Sequence, residues 1–230
     1  MCGRFSQAER IDRIAELFGA EPDPGLPDGS YNVAPTDPIR IVLVRDGART
    51  VAAAGWGFRP FWRGRDGAAG REPGWINARA ETAPDSSAFG PALRSSRCLI
   101  PADAFYEWDR GPRPPQPYAI GPSGGGLLAL AGLWTSADHG ERTTAAILTT
   151  RPNRTMERLH HRMPVILEAS DLDAWLAPET PLEHLVALMS PAPDDALRVW
   201  PVSTAVNRVG TDGPELLLPV EEMPVSFGLA

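Results

Sequence analysis

Three short apolar runs follow one another in the middle of the chain: YAI at 118–120, LLALAGLWT at 127–135 and TTAAILTT at 143–150. Runs this short, bounded by turn-forming segments, read as strands. The middle one has no polar face, so it must be covered on both sides, and that requirement limits the fold more than any other feature. The same pattern extends outward. IRIVLVRDGARTVAAAGWGF at 39–58 predicts two strands about an Asp46–Gly47 turn. RCLIPADAFYEW at 97–108 is rich in strand formers, interrupted by Pro101, and LRVWPVS at 197–203 and ELLLP at 215–219 read as further strands. Helical spacing is confined to short stretches. Ile11, Ile14, Leu17 and Phe18 recur within 7–19, with Gly19 suited to the C′ position. Shorter patterns occur near 85–94, from 153, at 171–177 and at 181–189. RGRDGAAGREPG at 63–74 and GPRPPQP at 111–117 read as loops. There is no internal repeat and no βαβ alternation with a Gly-rich phosphate loop. The expected fold is α+β, a single domain over 1–230 built on an antiparallel, barrel-like sheet with few, peripheral helices.

Composition narrows the chemistry. Hydrophobic and charged contents of 43% and 22% are ordinary for a soluble globular chain. No apolar run is long enough to span a bilayer, and the polar start does not resemble a signal peptide. Cys2 and Cys98 are the only cysteines; they form neither a disulfide framework nor metal-ligand spacing. A cytoplasmic, reduced setting is expected, with no metal, no cofactor and no membrane. Without heptads or a long exposed apolar pattern, a monomer is the default. A net charge of −7 argues against a general nucleic-acid binder but leaves room for a local basic groove. All 22 basic residues are arginine. Phosphates or carboxylates would therefore be met by planar guanidinium groups. No lysine ε-amine exists to form a Schiff base, so amine chemistry on a carbonyl falls to the N-terminus.

The start, MCGRFS, carries that argument to one residue. Removal of Met1 would leave Cys2 with an amine and a thiol on adjacent carbons, both partly nucleophilic near neutral pH. Such an aminothiol attacks an aldehyde through nitrogen and closes a five-membered thiazolidine through sulfur. Other segments supply partners. In WINARAET, Asn77 and Arg79 are two apart and share a face of an extended strand, although a turn stabilised by Asn is common and the segment alone is a weak signal. In AFYEWD, Glu107 stands between Tyr106 and Trp108, a setting for a general acid/base or for a solvent-exposed edge residue. In RLHHRMP, a His pair precedes Arg162. Arg151, Arg154, Arg158 and Arg162 recur every three or four residues, as a basic helical stripe or a solvated face.

With these residues in place, the chain resembles the SRAP family, the SOS response-associated peptidase-like proteins. The likeness rests on MCGRF, YNVAPT, GWGFRPFW, NARAET, RCLIPADAFYEW, AGLW, HHRMPVIL and PVSTAVN, in the family's order from residue 1 to beyond 200. The resemblance implies recognition of abasic sites in single-stranded DNA, at junctions with duplex among other places. It also implies a thiazolidine DNA–protein crosslink through Cys2, removal of Met1, crosslink reversal and a place in the DNA damage (SOS) response. By motif, Cys2 is the nucleophile, Asn77 positions it, Glu107 shuttles protons, and His160 rather than His161 is the catalytic imidazole. Arg4, Arg79 and Arg162 would contact phosphates, and Trp62 or Trp108 would stack on a base or shape the pocket. The protein would lie in the cytoplasm, on the nucleoid when DNA-bound. Phe58 and Arg59 depart from the expected pattern in GWGFRPFW. Two rival readings are an N-terminal-Cys peptidase or amidohydrolase without a DNA role, and a non-catalytic binding module. Cys98 is expected to be a core residue that forms no disulfide with Cys2.

Overall fold

A computed structural model describes residues 2–60, 74–109, 111, 115–137 and 142–221. In chain order the elements are β1 (Phe5–Gln7), α1 (Ile11–Phe18), β2 (Glu21–Pro22), β3 (Ser30–Val33), β4 (Pro38–Arg45), β5 (Ala48–Trp56), β6 (Asn77–Arg79), α2 (Gly90–Ser95), β7 (Arg97–Ala102) and β8 (Ala104–Asp109). They continue with β9 (Gln116–Pro122), β10 (Leu128–Ala137), β11 (Arg142–Thr150), α3 (Arg154–Glu157), β12 (Met163–Pro164), β13 (Ile166–Leu167), α4 (Leu172–Leu176), α5 (Leu182–Leu188) and β14 (Leu197–Pro201). The α+β class and the barrel-like sheet are as expected.

The larger sheet closes. Its strands run β5–β4–β7–β10–β11 through antiparallel pairs, and β11 returns to β5 in parallel at Thr144↔Gly55 and Ala145↔Trp56. Closure removes both edges of the five-stranded ring. Side-chain parity then sorts the core. Val42, Leu99, Ala131 and Leu148 pack with Ile14 and Phe18 of α1 and Trp175 of α4, so this face is the outside, because helices cannot enter so small a barrel. Ile41, Ala54, Ile100 and Ile147 form the other face, joined by Phe5, Phe105 and Ile120 of the second sheet. That sheet runs β14–β9–β8–β1–β3. Its far side, with Tyr106 and Ala119, is covered by Val202, Val206 and Leu216 from the C-terminal segment.

Local readings survive in most places. Asp46 (φ 51°) and Gly47 (φ 80°) make the β4–β5 turn, both in the left-handed region that a two-residue hairpin of this hand requires. Gly19 (φ 58°) ends α1 in the left-handed conformation, its N–H reaching the carbonyls of Ala15 and Glu16. Three expectations change. Residues 214–217 form a 3₁₀ turn rather than a strand: Pro214 starts it and Leu216 is its buried anchor. Pro101 lies within β7, and the break comes at Asp103, whose carboxylate accepts from the Ser6 hydroxyl and the Ala8 N–H, each at 2.6 Å. The helix from 153, capped by Asn153 accepting from the Met156 N–H, stops at Glu157, so its arginines do not form one helical stripe.

Candidate functional site

β11 organises the site. One flank pairs first with β5 and then with β6, at Ile147↔Asn77 and Thr149↔Arg79. The other flank pairs first with β10 and then with β12, at Thr149↔Pro164 and Thr150↔Met163. Segment 163–167 therefore takes over where β10 and β11 part, and the turn carrying His160 and Arg162 comes to the same end of β11 as Asn77 and Arg79. Arg162 joins the flanks: its guanidinium holds both carboxylate oxygens of Glu81, at 2.6 and 2.8 Å, and also donates to the Thr149 carbonyl. The bond to this neighbour lowers the Glu81 carboxyl below its ordinary range.

The N-terminus arrives through β1, which pairs with β8 at Phe5↔Phe105 and with β3 at Phe5↔Val33. Phe5 packs edge-on against Trp56, centroids 4.9 Å apart, and so anchors the segment to the barrel interior. Cys2 is fully buried in that same cluster. Asn77 Nδ2 donates to the Cys2 carbonyl at 2.9 Å, while its buried Oδ1 has no hydrogen-bond partner among the described residues. Burial pushes the Cys2 thiol well up; the negative charge of Glu107 adds to this, and the N-terminal ammonium and a contact with the Arg4 carbonyl oppose it. Glu107 is 5% exposed, and its charge raises the thiol.

His160 Nδ1 accepts from the Arg162 backbone N–H at 3.0 Å. The same nitrogen lies 3.2 Å from the Arg162 carbonyl, so Nδ1 faces both backbone groups of Arg162 and the ring tautomer follows from which of the two it engages. The His161 ring stacks on His160, centroids 4.3 Å apart.

The remaining residues separate. Period-two alternation turns Trp108 to the side of β8 opposite Glu107; its Nε1 donates to Asn207 Oδ1 at 2.6 Å, and it packs with the C-terminal segment. Arg4 reaches the same segment, donating to Asn32 Oδ1 at 2.8 Å and to the Val206 carbonyl at 2.9 Å. Arg4 and Arg162 are thus engaged within the protein. Arg79 is exposed; its carbonyl accepts from the Thr82 N–H, and its guanidinium acts on Glu81 through its charge. Trp62 and most of the 63–74 loop lie outside the described residues. Phe58 is a core residue, its ring 5.1 Å from Phe89. Cys98 is buried and both cysteines are free. Among the described residues no group of three or more His, Cys, Asp or Glu is placed to hold a metal. No helix there is long and apolar enough to cross a membrane.

Sequence reasoning missed Glu81 and Asn32. Glu81 lies in the turn that follows β6, closed by the Thr82 N–H donating to the Arg79 carbonyl, and nothing local marks it as the partner of Arg162. Asn32 donates through Nδ2 to the carbonyls of Arg208 and Thr211, at 3.2 and 2.8 Å, besides accepting from Arg4. No local pattern announces such a junction.

The comparisons agree with this architecture. The sequence matches the SOS response associated peptidase (SRAP) family over residues 1–209. It is 39% identical to the abasic site processing protein YoqW of Bacillus subtilis (strain 168), covering 94% of this chain and 99% of that one. It is 32% identical to the abasic site processing protein HMCES of Gallus gallus, over 84% of this chain and 66% of the other. A crystal structure of a protein from Bacteroides thetaiotaomicron superposes with a TM-score of 0.85 at 23% identity, covering 96% of this chain and all of that one, and shares the fold. The chain belongs to the SOS response associated peptidase (SRAP) family.

Proposed function

We propose that this protein captures abasic sites in single-stranded DNA through Cys2, as part of the response to DNA damage. One observation carries the reading: Asn77 holds residue 2 of the chain in a buried position next to the carboxyl of Glu107. The names of the relatives, abasic site processing proteins, support DNA as the substrate.

The chemistry begins with hydrolysis of the Met1–Cys2 peptide bond, by the chain's own groups or by an aminopeptidase. The freed amine attacks C1′ of the ring-opened deoxyribose, and water leaves as the imine forms. The Cys2 sulfur then adds to the imine carbon and the nitrogen takes up a proton, which closes the thiazolidine. Glu107 receives the thiol proton. His160 protonates the departing hydroxyl, and the same two groups run the reaction backwards in reversal. Loss of Met1 also moves the ammonium onto the α-carbon of Cys2. That strengthens the one charge already lowering the thiol. The unpartnered Asn77 Oδ1 is a ready acceptor for the new amine. Arg79 makes the phosphate contact, while Arg4 and Arg162 hold the walls. The protein acts as a monomer.

The test mixes the protein with single-stranded DNA bearing one abasic site and follows a denaturing gel and intact mass, beside Cys2→Ala and undamaged DNA. An adduct formed by wild type alone, lacking Met1 and attached at Cys2, is expected. A processed N-terminus that forms no adduct would sink the reading and leave the N-terminal-Cys hydrolase.

A further inference from the structure

We propose that Arg79 determines the outcome of the reaction, capture rather than strand scission, because it places phosphate-binding charge near the reacting carbon without an ε-amine. This rests on the abasic-site reading above.

Arg79 and Asn77 are alternate residues of β6 and so face the same way, toward the side on which Asn77 holds Cys2; Ala78 between them packs into the outer core. Arg79 is exposed and acts on Glu81 through its charge, whereas the guanidinium groups of Arg4 and Arg162 are hydrogen-bonded within the protein. Position 79 is therefore the place from which a long basic side chain reaches the bound sugar. None of the 230 residues is lysine. The guanidinium stays protonated and offers no free nitrogen lone pair for carbonyl attack.

The consequence follows from the fate of an imine. A lysine amine condensing with the C1′ aldehyde releases water and leaves an iminium carbon that acidifies the C2′ hydrogens. A base takes one of these protons, the electron pair forms the C2′–C3′ double bond, and the C3′–O bond breaks. The 3′ phosphate departs with its electrons, and the strand is cut. The Cys2 amine escapes this route because its own thiol lies two carbons away and saturates C1′ before elimination. A lysine carries no such thiol. In this chain every imine formed on the protein forms next to its trap, and at position 79 charge is provided without a competitor.

The experiment compares wild type, Arg79→Lys and Arg13→Lys, the last on the exposed face of α1. Each is mixed with end-labelled single-stranded DNA carrying one abasic site, with and without borohydride, which reduces imines to stable amines. Equal thermal unfolding establishes that the variants fold. Arg79→Lys is expected to raise incision at least tenfold over wild type and to yield a second, borohydride-dependent adduct mapped to residue 79. Arg13→Lys is expected to behave as wild type. Absence of both excess incision and the residue-79 adduct would overturn the inference, as would equal incision by Arg13→Lys, since position would then not matter. Failure of the abasic-site reading appears separately, as a wild type that forms no Cys2 adduct.

Discussion

At Cys2 two influences are set against each other: burial and Glu107 raise the thiol, and the N-terminal ammonium lowers it. Asn77 donates to the carbonyl of the same residue. Truncating Asn77 to Ala removes one hydrogen bond, worth about 1 kcal/mol. Crosslinking by Asn77→Ala should therefore slow about tenfold or less, measured as single-turnover adduct formation. Asn77→Asp should be slower still, because a second carboxylate near Glu107 raises the thiol further. Equal rates for wild type and both variants would remove Asn77 from the site. The phosphate assignment is separable at the same scale. Arg79→Ala should weaken non-covalent binding of single-stranded DNA, measured with Cys2→Ala protein. It should also lower the slope of log K against log salt by about 0.7, the value for one phosphate contact on a single strand. An unchanged slope would place the contact elsewhere.

Elements show where packing and backbone conformation take over from residue chemistry. A Cβ on Gly132 in β10 would stand 2.8 Å from Cys98 Sγ and 3.0 Å from Ile100 Cδ1. The side chains on this face of β7 fill the space that a side chain at 132 would need. Gly132→Ala should cost about 1–3 kcal/mol in urea unfolding. Combining it with Cys98→Ala, which removes the nearest atom, should cost less than the sum of the two single changes. Strict additivity would show that the clash is not with Cys98. Gly19 is a contrasting case: nothing lies within 4 Å of its Cβ direction, so only the left-handed backbone matters. Gly19→Ala should destabilise by about 1 kcal/mol, through conformation alone. The Gly19 end of α1 and the Asp46–Gly47 turn were legible because left-handed residues leave a residue-type signature. The strand expected at 215–219 was not, since ELLLP shows strand-forming residues but no sign of the 3₁₀ turn that buries Leu216.

For the whole molecule, three buried acids bear on stability. Burial raises Cys2 and Cys98 above the ordinary thiol value of 9.0, and raises Tyr106 above its ordinary 10.0 with Asp103 and Asp212 adding to it. Above pH 9.0 the unfolded chain loses thiol protons that the folded chain keeps, so stability, fully present below that pH, falls as pH rises. Urea midpoints near neutral pH and about one unit above the thiol value should show the decline, and Cys98→Ala should reduce it. A flat profile would mean that the thiols ionise alike in both states. Alternating apolar runs, positive-φ turn residues and short helical periods fixed the strands, most turns and the α+β class in advance. The resemblance to the SRAP family, carried by eight motifs in order, singled out Cys2, Asn77, Glu107 and His160, whose own segments left other readings open. Tertiary structure alone decided that β11 returns to β5, that β6 and β12 bring Arg79 and the His160 turn to one end of β11, and that Glu81 grips Arg162. It alone tied Trp108 to Asn207 and Arg4 to Val206. These are contacts between segments far apart in the chain, settled by barrel closure and side-chain parity, and no local pattern encodes them.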